Sequence, residues 1–208
     1  MSLSHAAASL VQIGRRFDAR GWVLGTSGNF STVISRDPLR LAITPSASAK
    51  GDLDPLRILE IDETAAPVGT SLSLPSAESR LHIEVVRARG AGAVLHTHSI
   101  WSTILSDLHA AAAGVSIEGY EMLKGLEGVR THAHREWIPI LDNDQDMDRL
   151  ARGVSGSLHD HPDAHGFLLR RHGLYTWGDD LAQAVRHVEI FEFLFEAVGR
   201  TLQVRTIA

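Results

Sequence analysis

Two histidines, His96 and His98, stand two residues apart where an apolar segment ends. Residues 92–95, Gly-Ala-Val-Leu, are typical of a short buried strand that runs directly into His96. Side chains two positions apart on a strand point to the same side, about 7 Å apart at Cα, so both imidazoles can face one metal ion. A catalytic zinc usually has three protein ligands and one open position. The pair therefore needs a third ligand.

Several histidines compete for that role, because this chain of 208 residues has 12 of them. His172 has a favourable context, since it follows the apolar residues 166–169 and precedes Gly173, which lets another group approach closely. From the residues alone, metal ligation by this trio and burial as hydrogen-bonded core histidines remain equal alternatives. The other closely spaced histidines lie in polar stretches, and we expect them to be exposed in loops rather than to bind metal: His132, His134, His159, His161 and His165.

Two loops rich in small and hydroxylated residues are suited to anion binding. Residues 25–29, Gly-Thr-Ser-Gly-Asn, enter a predicted strand and can aim backbone N–H groups and hydroxyls at an anion. Residues 43–50, Ile-Thr-Pro-Ser-Ala-Ser-Ala-Lys, add hydroxyls and a cation. Together they predict a phosphate cradle, and the alternative is two ordinary turns. Neither G-x-x-x-x-G-K-[ST] nor G-x-G-x-x-G occurs, so nucleotide binding is not supported.

Short strands between helices must position these residues. Apolar spacing predicts a first helix that ends at Gly21 and further helices over residues 77–89, 146–154 and 179–199, the last capped by Asp179. Strands are predicted at residues 30–34 and 39–43, as a hairpin, and at residues 92–95, 138–140 and 166–169. This mixture favours a layered α/β or α+β domain.

Composition is that of an ordinary globular domain, with 44% hydrophobic and 22% charged residues, so we expect one domain over residues 1–208. A net charge of -5 without a basic run argues against nucleic acid and anionic membrane as partners. No stretch of about 18 apolar residues and no signal-peptide pattern occurs, so we expect neither membrane insertion nor secretion. The absence of cysteine fits a cytoplasmic location.

Five motifs, taken in order, resemble those of the class II aldolase/adducin family. They are Gly25-Thr26-Ser27-Gly28-Asn29, Ile43-Thr44-Pro45-Ser46, Pro75-Ser76-Ala77-Glu78, His96-Thr97-His98 and Arg171-His172-Gly173. The resemblance implies one Zn²⁺ per subunit, held by His96, His98 and His172, and a phosphorylated sugar as substrate. It also implies an α/β (α+β) fold with three layers, α/β/α, around a mostly antiparallel sheet. A homotetramer with active sites near subunit boundaries is expected.

The resemblance further implies roles for individual residues. Residues 119–125 and 169–178 are similar to segments of dehydratases in the family, with weaker support from residues 141–146. In the family's aldolases the position of Glu78 supplies the carboxylate beside the metal, whereas in the dehydratases the resemblance points to Glu121 as the proton relay. The chain departs from the family at Ala47, where glycine is usual. The residues expected to contact substrate are Ser27, Gly28, Asn29, Thr44, Ser46, Lys50, Ser76 and Glu78.

Two alternatives to a dehydratase follow from the same resemblance. One is aldol cleavage or epimerisation of another sugar phosphate, since these reactions share a zinc-stabilised enediolate. The other is a non-catalytic structural domain like the adducin head, which is expected to lack the metal ligands. The chain retains all three histidines. We therefore expect an enzyme, a metal-dependent lyase.

Overall fold

The fold is a sheet of eight strands with helices on both of its faces. A computed structural model describes residues 1–71 and 73–207. The strands are β1 (Asn29–Arg36), β2 (Leu39–Ile43), β3 (Leu59–Asp62), β4 (Ala93–Thr97), β5 (Gly114–Glu118), β6 (Arg135–Leu141), β7 (Gly166–Leu169) and β8 (Gly173–Gly178). The helices are α1 (Leu3–Asp18), α2 (Ser79–Arg89), α3 (Ile100–Leu108), α4 (Met147–Asp160) and α5 (Leu181–Ile207). None of the helices in these described ranges is long and apolar enough to cross a membrane.

The strand order is β3-β2-β1-β4-β8-β7-β6-β5, and only the β6–β7 pair is parallel. Residues of β4 alternate between the two faces, as the pleat of a strand requires. Val94 packs in the apolar core that includes α2 and α4, whereas Ala93 and Leu95 pack in the core that includes α1 and the start of α5. A third core joins α3 and α5 to the far half of the sheet. The predicted fold class, three layers around a mostly antiparallel sheet, is confirmed.

Several elements are missing from the sequence prediction or differ from it in extent. β3, β5, β8 and α3 were not predicted. The final helix does not end at Gly199 but continues to Ile207. Gly199 serves close packing instead of helix termination, because it faces the ring of Trp101 and a Cβ there would lie 2.2 Å from a ring carbon. The predicted cap at Asp179 is wrong by one residue, since the Asp180 carboxylate accepts from the backbone N–H of Gln183 at 2.8 Å.

Candidate metal and substrate site

Three histidines meet at the edge of the sheet where β4 ends. His96 is in β4, His98 directly follows that strand, and His172 lies in the turn between β7 and β8. Strand pairing places His96 beside Tyr175 of β8. The turn approaches β4 closely because Gly173 has no side chain, and a Cβ there would lie 2.0 Å from the carbonyl oxygen of Thr97.

The Nε2 atoms of the three histidines face one another. They are 2.7 Å apart between His96 and His98, 3.1 Å between His98 and His172, and 3.3 Å between His96 and His172. The Nδ1 atom of His96 donates to the Leu174 carbonyl at 2.9 Å, and that of His172 donates to Asn143 Oδ1 at 3.3 Å. Those two bonds leave the Nε2 lone pairs of both rings directed at the shared centre.

Burial keeps these imidazoles neutral, which is the form that binds metals. It lowers the pKa of His96 well below its usual range, and the neighbouring histidines lower it further. Burial, with smaller effects of His172 and Lys50, lowers the pKa of His98 to about 3. Burial also lowers the pKa of His172, against the opposing charge of Glu78. Ligand atoms about 2.0–2.1 Å from a tetrahedral zinc are about 3.3 Å apart, so the separations of 3.1 and 3.3 Å match such an ion, and the separation of 2.7 Å is shorter.

The Glu78 carboxylate lies beside the three histidines. Its Oε1 is 3.2 Å from His172 Nε2, and its Oε2 is 3.7 Å from His96 Nε2. Glu78 directly precedes α2, so the start of that helix carries the carboxylate to the end of β4. The Glu78 side chain is 18% exposed, which leaves it accessible to a small molecule.

A chain of hydrogen bonds holds Glu78 in place. Asn29 lies opposite His96 in the sheet, and its Nδ2 donates to Glu78 Oε2 at 2.5 Å. The Oδ1 atom of Asn29 is 2.5 Å from His82 Nε2, and His82 Nδ1 is 2.7 Å from Ser31 Oγ. Burial lowers the pKa of His82 to about 3, so its ring is neutral. Nε2 therefore donates to Asn29, and Nδ1 accepts from the Ser31 hydroxyl.

The ring of Tyr175 fixes the plane of the His96 imidazole. The two rings stack with centroids 3.9 Å apart and an angle of 12° between their planes. Phe167 stacks on the other side of the tyrosine at 4.9 Å. Burial, and then the nearby charge of Glu78, raise the pKa of Tyr175 well above its usual range, so the phenol stays protonated.

The loop of residues 25–29 packs closely against β4, the strand that contains His96. Gly28 has a φ of +73°, and a Cβ there would lie 2.6 Å from the His96 carbonyl oxygen. Only glycine satisfies both conditions without strain. The hydroxyl oxygen of Ser27 is buried and has no hydrogen-bond partner among the described residues.

Lys50 joins the two predicted phosphate loops. Its side chain is buried, and Nζ donates to the carbonyls of Thr26 at 3.1 Å and Ser48 at 2.7 Å. Burial lowers the pKa of Lys50 to about 8, against the opposing charge of Glu78. The amine therefore still carries its charge at pH 7.

The remaining expected substrate contacts differ in their accessibility. Thr44 is buried, and its hydroxyl accepts from the backbone N–H of Phe30 at 3.1 Å. The Ser76 hydroxyl accepts from the Glu78 N–H at 3.2 Å, whereas Ser46 is exposed. Ala47 has a φ of +51°, a conformation that costs a non-glycine residue about 1 kcal/mol. The glycine usual in the family would adopt it freely.

Glu121 does not reach the three histidines of its own chain. β5 is antiparallel to β6, and β6 is parallel to β7, so Glu121 follows β5 at the opposite edge of the sheet from His172. Its side chain is 73% exposed and pairs with Lys124 at 2.6 Å. A hydrogen bond from Lys124, followed by the lysine charge, lowers the pKa of Glu121.

Three of the histidines expected to be exposed are partly buried instead, namely His134, His161 and His165. His134 and His165 both contact the buried carboxylate of Glu136, at 2.8 and 3.0 Å. His159 is exposed but belongs to helix α4 rather than to a loop. His132 is exposed, as expected.

Sequence reasoning also missed residues that support the site, namely Ser31, His82, Asn143, Tyr175 and Glu192. The clearest signal for one of them was a histidine, His82, among the apolar residues Leu81 and Val85 of a predicted helix. A polar ring on an apolar helical face needs a buried partner. The other supporting residues gave no comparable signal.

Comparison with known proteins identifies the class of this chain. Residues 8–198 match the family described as the class II aldolase and adducin N-terminal domain, and the chain belongs to that family. A solved structure of L-fuculose-1-phosphate aldolase from Thermus thermophilus superposes with a TM-score of 0.74 at 24% identity, covering 97% of this chain and 98% of that one. This similarity confirms the fold.

More similar relatives carry the name of one enzyme. Methylthioribulose-1-phosphate dehydratase of Methylococcus capsulatus is 46% identical over 197 residues, 93% of each chain. The protein of that name from Marinobacter nauticus is 41% identical over 201 residues, 96% of this chain and 95% of the relative. The prediction of a lyase of this family, rather than an adducin-like structural domain, is confirmed.

A buried carboxylate behind the metal-binding strand makes stability depend on pH. Thr97 Oγ1 donates to Glu192 Oε1 at 2.9 Å, and the glutamate is 3% exposed. Burial raises the pKa of Glu192 to about 7, against hydrogen bonds from Ser99 and Thr97. The pKa of Glu192 is higher in the folded state than in the unfolded state. Its contribution to the free energy of unfolding is therefore greatest below about pH 4.5 and is lost as the pH rises through 7.

We expect Glu192→Gln to remove this pH dependence. Between pH 4.5 and 8, the free energy of unfolding of the metal-free wild type should fall relative to the variant by about 3 kcal/mol. Urea denaturation of both proteins at several pH values measures the difference. Equal pH slopes would show that Glu192 does not titrate in this range.

Proposed function

We propose that this protein dehydrates 5-methylthioribulose 1-phosphate to 2,3-diketo-5-methylthiopentyl 1-phosphate, a step of methionine salvage in the cytoplasm. The observation that carries the proposal is the three-histidine cluster in a chain more than 40% identical to relatives named methylthioribulose-1-phosphate dehydratase. We further propose one zinc ion per subunit at His96, His98 and His172. Three neutral imidazoles suit zinc and leave one position for substrate.

The phosphate of the substrate is proposed to lie between the loops that Lys50 joins. The free hydroxyl of Ser27 and the Lys50 ammonium provide a donor and a charge for it. Gly28 permits close approach of that loop to the strand of His96. The sugar chain would then extend from this phosphate site towards the histidines and Glu78.

The chemistry requires a Lewis acid at the ketone and one group that moves a proton. A divalent metal, when bound, polarises the C2 carbonyl oxygen and makes the C3 proton acidic. A carboxylate takes the proton from C3 and, once protonated, gives it to the C4 hydroxyl, which leaves as water. The resulting enol tautomerises to the 2,3-diketone.

Two carboxylates are candidates for that proton relay. Glu78 is beside the histidines of its own chain, at 3.2 Å from His172 Nε2. Glu121 lies at the opposite edge of the sheet and is exposed, so it can act only in the site of a neighbouring chain. We propose Glu121 as the relay, with Glu78 holding substrate hydroxyls. This assignment requires an oligomer in which the two edges meet.

An exposed apolar surface supports such an assembly. Ile100, Ile104 and Leu108 lie at helical spacing along α3 and are 66, 44 and 60% exposed, and Phe193 of α5 is 49% exposed. Contiguous apolar surface on a soluble protein commonly marks an interface. We propose a homotetramer that covers this surface. Light scattering measures the assembly directly.

Product analysis tests the proposed reaction. The zinc-loaded protein is incubated with 5-methylthioribulose 1-phosphate, and products are identified by mass spectrometry, with His96→Ala as the control. We expect a product lighter by one water that the control does not form. Dihydroxyacetone phosphate would instead indicate cleavage between C3 and C4, as in an aldolase. Unchanged mass with altered stereochemistry would indicate an epimerase.

A further inference from the structure

A second group of metal-binding side chains lies at the other edge of the sheet. His134 precedes β6, Glu136 is in β6, and His165 directly precedes β7. These strands are parallel neighbours, so their first residues share an edge, opposite the one where His172 lies. One ligand atom from each of the three residues lies within 4.8 Å of the other two.

Glu136 is at the centre of this second group. Its Oε2 lies 2.8 Å from His134 Nε2 and 3.0 Å from His165 Nδ1. The glutamate side chain is 1% exposed, and the two histidine side chains are 28% and 16% exposed. Within residues 1–71 and 73–207, no lysine or arginine forms an ion pair with Glu136. A carboxylate so deeply buried needs hydrogen-bond donors or a cation, and here its neighbours are two imidazoles and the backbone N–H of His165 at 3.0 Å.

The second nitrogen of His165 is oriented as in a metal ligand. Its Nε2 donates to the Glu127 carbonyl at 2.8 Å, which directs Nδ1 at Glu136. Metal-binding histidines usually donate their other N–H to a carbonyl or carboxylate. His96 shows the same arrangement at the first site, where Nδ1 donates to the Leu174 carbonyl.

The group opens into a cavity of about 800 Å³. His134 and His165 line this cavity together with Arg89, Trp177 and Asp163. The cavity provides space for a fourth ligand, such as water or a small anion. Two imidazoles and one carboxylate with an open position form a donor set that zinc commonly uses.

We propose that His134, Glu136 and His165 bind a second divalent transition-metal ion, of the type of Zn²⁺ or Co²⁺. The ion takes the place of the protons now shared between Glu136 and the two imidazoles. The ion would link the start of β6 to the ring of His165. Because that ring also donates to the Glu127 carbonyl, the segment that contains Glu127 would be linked to both. The proposal is independent of the reaction at the first site.

Cobalt binding tests this proposal in the full chain. Chelator-treated protein is titrated with CoCl₂, and the visible absorption of bound Co²⁺ is recorded. We expect the wild type to bind two ions per chain and the His96→Ala/His98→Ala variant to bind one. Adding His134→Gln to that variant should weaken the remaining binding by about 100-fold or more, because it removes a direct ligand.

The matched control is His132→Gln in the same variant. His132 is two residues away, and its side chain is 63% exposed. This change should leave cobalt binding unaltered, and circular dichroism shows whether each variant keeps its fold. One ion per wild-type chain would overturn the proposal. Equal weakening by His132→Gln and His134→Gln would overturn it as well.

Discussion

Replacing His98 with alanine is expected to remove the metal from the first site and to lower turnover by at least about 10³-fold. One of three imidazoles is lost, and the Lewis acidity of a bound metal contributes several kcal/mol to the transition state. The Nε2 atom of His98 lies 2.7 Å from that of His96 and 3.1 Å from that of His172, and alanine leaves only two imidazoles in the cluster. Activity and metal content per site are measured together on dialysed protein.

His159→Gln provides the matched control for this loss. His159 is an exposed histidine on α4, outside both metal-binding groups. The control should retain activity and metal content. Metal bound at the proposed second site would add to the measured metal content per chain. The metal content is therefore measured in proteins that also carry His134→Gln. Full turnover by His98→Ala would show that the three-histidine cluster is not the catalytic centre.

Combining two inactive variants, His98→Ala and Glu121→Gln, is expected to restore activity. Glu121→Gln alone should cost roughly 10²–10⁴-fold, the usual effect of removing a general acid/base. In co-expressed hybrids, about one quarter of the sites would pair intact histidines from one chain with an intact Glu121 from another. Turnover of the co-expressed mixture is compared with that of each variant alone.

A second combination separates action between chains from simple stabilisation of the assembly. His98→Ala and His172→Ala each remove one histidine from the same three-histidine cluster, which a single chain supplies. Mixing these two variants should therefore restore no activity. If Glu121→Gln is inactive and mixing fails to restore it, Glu121 does not act in a neighbouring site. If Glu121→Gln is fully active and Glu78→Gln is not, the proton relay is Glu78.

The sequence predicts the layers and the principal histidines better than it predicts their surroundings. His96 and His172 stand out because each adjoins an apolar run, β4 or β7, that must be buried. β3 and β5 were missed because they are edge or short strands whose apolar residues alternate over only four or five positions. Their burial depends on helices and strands distant in the chain.

The second histidine group shows where local polarity misleads. The polar stretch around Glu136 indicates an exposed loop, yet Glu136 is buried in β6 and holds His134 and His165. Its partner His165 is 29 residues away, and only the parallel pairing of β6 with β7 brings the two together. Glu121 presents a different difficulty, because its proposed role depends on a contact between chains that the sequence of one chain does not describe.

The asparagine that holds Glu78 also determines where its protons can go. An amide donates and accepts hydrogen bonds but does not take up or release a proton under physiological conditions. Asn29 therefore separates Glu78 from the His82–Ser31 pair behind it, although all four groups are hydrogen-bonded in series. A proton that Glu78 gains therefore cannot pass through Asn29 to His82. The buried His82–Ser31 pair thus holds Glu78 in position without exchanging protons with it.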